Sequence, residues 1–413
     1  MRRRTPPRAR ALAIAAGLLM AAMLLMPAAA SASTATRITS ILSRHGLAGS
    51  GTSVGVYDLT GHRSLCELRW DALRLPASNE KLVTSAAALA DWSAAHRFST
   101  QLFGPIAGPD KAGVLDGDIY LKGLGDPSLQ AAGLSRLVTR LKSYGITKIT
   151  GHVFADDGYF DQLRTVPGWR PGMVAYCGPL SALTLDEGYG PSGRYVADPA
   201  LWAATKLTSL LRKAGVKVVH SPARGVVPAG LTRLGSVSSA ALNVLLARMN
   251  KQSDDFYAEE LLKGLGASFG GAGSTAAGAR VAVQGLNGLG VTDGFRIHDG
   301  SGLSYHDKLS AHAILKLLGA MSRRPDFATY WRSLSVAGKD GTLRARMRET
   351  RAAGNVHGKT GTLGAASCLS GYVTSANGHV LTFAVLMNGS GLSQTRAHAA
   401  QDAIAETLAA SSP

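Results

Sequence analysis

Pro76-Ala77-Ser78-Asn79-Glu80-Lys81, followed by the apolar run Leu82 to Leu89, is the stretch around which the chain is organised. From Lys81 to Ala90, Ala, Leu and Val dominate and neither Gly nor Pro interrupts, so the run predicts a buried helix. Pro76 and Ser78 stand where such a helix begins. Ser78 and Lys81 are three apart, which puts them on one face, a turn from each other. The positive end of the helix dipole and the apolar surroundings both disfavour a charge on Lys81. A neutral amine there can take the Ser78 proton and make an acyl-transfer nucleophile, work an ordinary protonated lysine does poorly. Ser-x-x-Lys alone also occurs by chance at many helix starts, so the pair needs support from the rest of the chain.

The chain has 413 residues, enough for two or three domains and a large core. Residues 1–32 read as a signal peptide: Arg2, Arg3, Arg4, Arg8 and Arg10, then the apolar run Ala11 to Met26, then small residues suited to cleavage after Ala30 or Ala32. The protein is therefore expected to be exported to an extracytoplasmic, cell-wall space, with no membrane anchor after cleavage. Removing those five arginines takes the formal charge from +17 to +12, which suits an anionic surface such as a wall polymer. Nucleic acid is the usual alternative partner, but the basic residues are dispersed and no basic-aromatic cluster occurs. Cys66, Cys177 and Cys368 have neither metal-ligand nor disulfide-scaffold spacing and read as buried thiols, with one bridged pair as the alternative.

In order, the chain predicts a helix at Thr36 to Leu42 and a hairpin of strands, Thr52 to Leu59 and His62 to Leu68, around Thr60-Gly61. Gly51-Thr52-Ser53-Val54-Gly55 matches the Gly-x-Ser-x-Gly elbow, but that motif needs a helix next and a strand follows, so Ser53 reads as a strand residue. Phe103 to Gly235 turns Gly- and Pro-rich. Its strand-like pieces are Asp118 to Lys122 and Ile146 to Phe154, and its helix-like pieces Leu134 to Ser143 and Ala200 to Ala214. Helices return at Ser239 to Met249, Phe256 to Leu265, Thr275 to Leu286 and Ser310 to Met321. Strands Val356 to Gly361, Ala366 to Thr374 and His379 to Met387 and a closing helix, Ala397 to Ala409, complete an α+β chain. The expected division is a discontinuous domain, 33–98 and 236–413, around an inserted α+β region, 99–235, of one or two subdomains.

Two further motifs reinforce the first. Ser253-Asp254-Asp255 breaks two helices, and Lys359-Thr360-Gly361 lies on a strand. In this order the three form the signature set of penicillin-interacting serine enzymes. Ser78 attacks a carbonyl, Lys81 takes its proton, and Ser253 relays that proton to the leaving amine. Lys359 adds positive charge that favours a neutral Lys81 and attracts a substrate carboxylate, which Thr360 and Thr362, either side of Gly361, can also bind. Backbone N–H groups of Ser78 and Thr362 would form the oxyanion hole, each donor worth about 3 kcal/mol of barrier.

Over nearly the whole mature chain the sequence resembles the D-alanyl-D-alanine carboxypeptidase/endopeptidase family of class C low-molecular-mass penicillin-binding proteins. The likeness extends to Pro76 to Leu82 with Thr84, Tyr120 to Pro127, Pro167 to Trp169, Met249 to Asp254, Asp299 to Ser304, Gly338 to Leu343 and Leu369 to Tyr372. The 171 residues between Lys81 and Ser253 fit a family with inserted domains, and they argue against a β-lactamase, where that interval is much shorter. The resemblance implies a penicillin-binding-protein/serine β-lactamase-like transpeptidase domain, an antiparallel sheet with helices, interrupted by the insert. It implies peptidoglycan stem peptides as substrate, an acyl-enzyme on Ser78, β-lactams as inhibitors, and no metal or organic cofactor. Tyr159 and Asp156 or Asp157 are candidate contacts to the substrate's lateral chain.

One departure stands out. The family's second motif ends in Asn, whereas Asp255 occupies that substrate-binding position here. An Asn amide both accepts and donates; an ionised Asp only accepts, and its charge favours the ammonium of Lys81, against the task of a base. Reduced acylation, a shifted pH optimum or a changed substrate is expected relative to the family, and a wall-binding scaffold with impaired chemistry is the rival of a different class. His298, Asp299 and Ser301 lie too close in sequence for a catalytic triad and read as cleft wall, and His357 reads as a strand histidine.

Overall fold

The computed structural model describes residues 33–413; residues 1–32, expected from the sequence to be a signal peptide, lie outside the described residues. After α1 (Thr34–Arg44) come β1 (Thr52–Asp58), β2 (Arg63–Leu68) and α2 (Glu80–Asp91). The insert follows as β3 (Ser99–Gly104), β4 (Val114–Leu115), β5 (Ile119–Gly123), α3 (Ala131–Ser143), β6 (Lys148–Ile149), β7 (Val153–Asp156), α4 (Pro199–Lys213), β8 (Lys217–Val218), β9 (Ala223–Arg224) and β10 (Thr232–Ser238). The chain then continues through α5 (Leu242–Gln252), α6 (Asp255–Phe269), α7 (Thr275–Gly288), β11 (Phe295–Arg296), β12 (Lys308–Leu309), α8 (Ala311–Met321) and α9 (Phe327–Ser333). It ends with β13 (Ser335–Val336), β14 (His357–Leu363), β15 (Ala366–Thr374), β16 (Val380–Asn388) and α10 (Gln394–Ala409).

Six strands form the main antiparallel sheet in the order β13-β14-β15-β16-β1-β2. Its inner strands are buried on both faces, so they read as continuous apolar runs with the two faces sorted by period two. Leu369, Val373, Phe383 and Val385 join the core under α1 and α10. Cys368, Tyr372, Ala384 and Leu386 face the opposite way, into the helical core with α2, α6 and α8. Gly55 lets α8 cross close over β1: a Cβ there would come 2.7 Å from Leu315 Cδ1 and force that side chain to shift. The helix α2 is buried all round from Glu80 to Leu89 and packs on α6 and α7. Each of its larger apolar side chains stabilises the fold by about 1.5–3 kcal/mol.

The insert has its own five-stranded sheet, β10-β3-β5-β7-β9, a small parallel sheet, β4-β6-β8, and a separate apolar core under α3 and α4. The single strand expected over Ile146 to Phe154 is two, β6 and β7. Gly151 presses on the Gly117 backbone and His152 N–H donates to Asp118, which turns the chain between them. Strand β10 runs on to Ser238, paired with β3 as far as Ser99. Ser53 lies in β1, donating to Arg69 O at 2.8 Å and accepting from Arg74 Nε at 2.9 Å, and no elbow forms. Cys66, Cys177 and Cys368 are all buried free thiols. Among the described residues no helix is long and apolar enough to cross a membrane.

Candidate active site

Ser78 sits one step before α2, in a single 3-10 turn (Ala77–Asn79) rather than in the helix itself. Ala77 holds φ +46°, a left-handed conformation that costs a non-glycine residue about 1–3 kcal/mol. Asn79 makes no capping bond to α2; its Nδ2 donates instead to Lys359 O at 3.1 Å and ties the turn to β14. Gly361 faces the same turn. A Cβ there would come 2.7 Å from Pro76 O and 3.1 Å from Ser78 N, so only glycine lets the strand approach this closely.

Lys81, in the first turn of α2, is fully buried and has three partners: Ser78 Oγ at 3.0 Å, Asp255 Oδ1 at 2.6 Å and Ser301 O at 2.7 Å. Asp255 opens α6. Ser253 precedes it as a left-handed C-cap of α5 (φ +58°), and Asp254 caps α6 by accepting from Tyr257 N. That geometry explains the polar break: two helices meet at an angle and aim Ser253 and Asp255 into one cleft. From the other wall, buried Lys359 donates to Ser253 Oγ at 2.9 Å and Thr360 O at 3.0 Å. All eight residues named from the sequence, Ser78, Lys81, Ser253, Asp255, Lys359, Thr360, Gly361 and Thr362, therefore converge, although 281 positions separate the first from Lys359. The cleft between them encloses about 540 Å³.

Burial pushes the Asp255 carboxyl up, against the pull of Lys81 and then Lys359. Burial pushes Lys359 well down, and repulsion from Lys81 adds to it. Below the cleft lie more acids. Burial and repulsion from Asp299 push Glu80 and Glu259 well up, and the same two causes act on Asp307. Among the described residues, no three His, Cys, Asp or Glu side chains are grouped to hold a metal ion.

Several lining residues carry no sequence signal. Met173 and Tyr176 reach the cleft from the insert, and Leu392 and Gln394 from the approach to α10. Thr342, in the Gly338 to Leu343 stretch, accepts from Thr360 Oγ1 at 2.8 Å. The Ser301 carbonyl was equally invisible, being a backbone group. The lateral-chain contacts expected in the insert do not reach the cleft. Asp157 is held by Arg164 at 2.7 Å and Arg224 at 2.5 Å, Asp156 by Gly158 N and Val227 N, and Tyr159 bonds Ser268. His298 contacts Ser304 Oγ rather than Ser301, so no triad forms, and His357 stacks on Trp331 at 3.6 Å, where burial lowers it to about 4.

The family model for the D-Ala-D-Ala carboxypeptidase 3 (S13) family matches residues 34–192 and 189–411. The chain is 33% identical to the D-alanyl-D-alanine carboxypeptidase of Actinomadura sp. (strain R39), covering 90% of this chain and 84% of the relative. It is 29% identical to the carboxypeptidase DacB of Mycolicibacterium smegmatis, over 76% of this chain and 72% of that one. Among solved structures, penicillin binding protein 4 (dacB) from Haemophilus influenzae superposes with a TM-score of 0.81 at 21% identity, covering 91% of this chain and 99% of the other. That similarity carries the α+β penicillin-binding-protein fold. With the family matched along almost all of its described length, the chain belongs to the D-Ala-D-Ala carboxypeptidase 3 (S13) family and is a serine-type carboxypeptidase.

Proposed function

We propose that this chain is an exported DD-peptidase that cleaves the terminal D-Ala-D-Ala bond, or peptide cross-links, of peptidoglycan through an acyl-enzyme on Ser78. The observation that carries this reading is the 3.0 Å contact between Lys81 Nζ and Ser78 Oγ at the floor of an open cleft. Lys81 takes the Ser78 proton as Oγ attacks the carbonyl of the penultimate residue. The oxyanion faces the N–H groups of Ser78 and Thr362. The C–N bond then breaks, and the proton passes by way of the Ser253 hydroxyl to the leaving amine. Water, deprotonated in turn by Lys81, hydrolyses the ester and restores Ser78. Lys359, Thr360 and Thr362 receive the substrate's terminal carboxylate, with Gly361 leaving room along the strand.

β-Lactams fit the same site as acylating inhibitors; the Haemophilus influenzae relative has been solved complexed with a β-lactam. The catalytic unit proposed is residues 33–98 and 236–413, with 99–235 as the insert. The arginine-led N-terminal segment and the basic mature chain support export to the wall space and attraction to anionic wall polymers. One observation favours the second reading, a wall-binding scaffold: Asp255 Oδ1 at 2.6 Å favours the ammonium form of Lys81. Incubation with a fluorescent penicillin, then denaturing electrophoresis, separates the two. Label on the wild type and none on Ser78→Ala supports the peptidase; no label on either supports the scaffold.

A further inference from the structure

A neutral amine has two hydrogens and one lone pair in a tetrahedral arrangement. If Asp255 Oδ1 and Ser301 O accept the two N–H groups of Lys81, the remaining position points at Ser78 Oγ. The Ser301 carbonyl thus aims the lone pair, and its own placement needs a cause. It lies in the loop His298 to Ser304, whose backbone N–H groups donate to side chains throughout. His298 and Asp299 donate to Asp307 Oδ1, Gly300 and Ser301 to Glu259 Oε1 at 3.0 and 2.8 Å, and Gly302 and Ser304 to Asp299 at 2.7 and 2.8 Å. Leu303 donates to Ser301 Oγ at 3.3 Å.

The loop is also wedged. A Cβ on Gly300 would come 2.6 Å from Ala258 O on α6, and one on Gly302 (φ +83°) 1.9 Å from Ala77 O in the Ser78 turn. Thr84 Oγ1 holds Gly300 O from α2 at 2.7 Å. The centre of this clamp is Glu259, which is fully buried and sits one helical turn beyond Asp255 on the same face of α6. One carboxylate touches Lys81 directly, and the other reaches it through the Ser301 peptide. Glu80, Asp299 and Lys81 are the charged groups that act on Glu259 from the neighbouring elements.

We infer that Glu259 is a positioning residue for the reaction: by accepting the Gly300 and Ser301 N–H groups it sets the Ser301 carbonyl against Lys81 and so directs the amine at Ser78. This deepens the acyl-enzyme reading and rests on it. What matters is the reach of the carboxyl oxygen rather than the group's ionisation, because both N–H groups bond a single oxygen.

Two conservative variants test that distinction. Glu259→Gln keeps an acceptor oxygen at the same reach without a titrating group; Glu259→Asp keeps the carboxyl group one methylene short. With a D-Ala-D-Ala peptide, Glu259→Gln is expected to hold kcat within about threefold of wild type. Glu259→Asp should lose about tenfold or more in kcat with KM unchanged, since the cleft lining is untouched. Crystal structures of both variants complete the test, with Ser301 O expected to leave Lys81 in Glu259→Asp alone. A Ser301 carbonyl still at Lys81 in Glu259→Asp overturns the inference whatever the rates, as does a Gln variant as slow as the Asp variant. Absence of penicillin label on the wild type would instead strike only the acyl-enzyme reading.

Discussion

Asp255→Asn changes one oxygen to an amide nitrogen, keeps the side chain's shape and removes a charge 2.6 Å from Lys81 Nζ. Two unit charges at that distance attract by about 6 kcal/mol at an effective dielectric of about 20. Burial raises the proton affinity of Asp255 and takes part of that attraction back. A neighbouring opposite charge typically shifts a titration by about one to three units, each unit worth about 1.4 kcal/mol. The sign is set by the species favoured: the anion stabilises the ammonium, so removing it lets the neutral amine persist to lower pH. We expect the acid limb of the acylation rate to move down in the variant, with a rate on that limb about tenfold or more above wild type. As pH falls through the range where Asp255 takes its own proton, the wild type loses the anion too and the two rates converge. The assay is the second-order rate of fluorescent-penicillin labelling across pH. A new amide donor to the substrate carbonyl would lift the rate equally at every pH, whereas relief of the base moves the limb. An unmoved limb, or one displaced to higher pH, refutes the reasoning.

Two other outcomes follow from the buried charges. Lys359→Met removes the amine that donates to Ser253 Oγ at 2.9 Å, and labelling is expected to slow by about 10²–10³-fold; a rate within threefold of wild type would exclude Lys359 from the chemistry. Glu260 is fully buried, its Oε1 accepts from Ser181 N, its Oε2 has no partner among the described residues, and burial raises it to about 8. An acid raised in this way binds more protons folded than unfolded between about pH 4.5 and pH 8, so stability falls as pH rises through that window. Glu260→Gln keeps the acceptor and abolishes the titration. It should be more stable than wild type at pH 8 and melt higher, by an advantage on the order of 4 kcal/mol that closes toward pH 4.5; an advantage that is constant across pH would contradict this account.

The site was legible where chemistry demands a residue type at a fixed place. The roles proposed for Ser78, Lys81, Ser253 and Lys359 belong to side chains, so their spacing and order point to a penicillin-binding fold before any coordinates. The Ser301 carbonyl was not legible, because any residue supplies a carbonyl. Met173 and Tyr176 were missed because they ride on an irregular loop with no period to read. The ion pairs of Asp157 were not legible, because an acid serves ion pairs as well as substrates and its partners, Arg164 and Arg224, give no local sign of the pairing. In the insert, Ile146 to Phe154 reads as one strand because its apolar pattern is continuous. The break at Gly151 comes from contact with Gly117, 34 residues earlier, which local propensity does not contain.

The aspartate proposed to hinder the base also has a structural consequence. Lys81 and Lys359 are both fully buried in one cleft, and each disfavours the charge of the other. Asp255 is attracted to both, so an anion at this position relieves a repulsion that a neutral Asn leaves in place. Removing one partner of a buried ion pair costs about 3–5 kcal/mol when the remaining charge cannot leave. Here it can leave, since either lysine can shed its proton, so the loss in Asp255→Asn should stay below that range at high pH. It should grow as pH falls and both amines are forced to charge. The variant that acylates faster is therefore expected to melt lower than wild type, and the gap in melting temperature should widen from pH 9 to pH 6. Equal melting temperatures across that range would mean that Asp255 carries no charge in the folded protein, and its effect on the base would then have to come from hydrogen bonding alone.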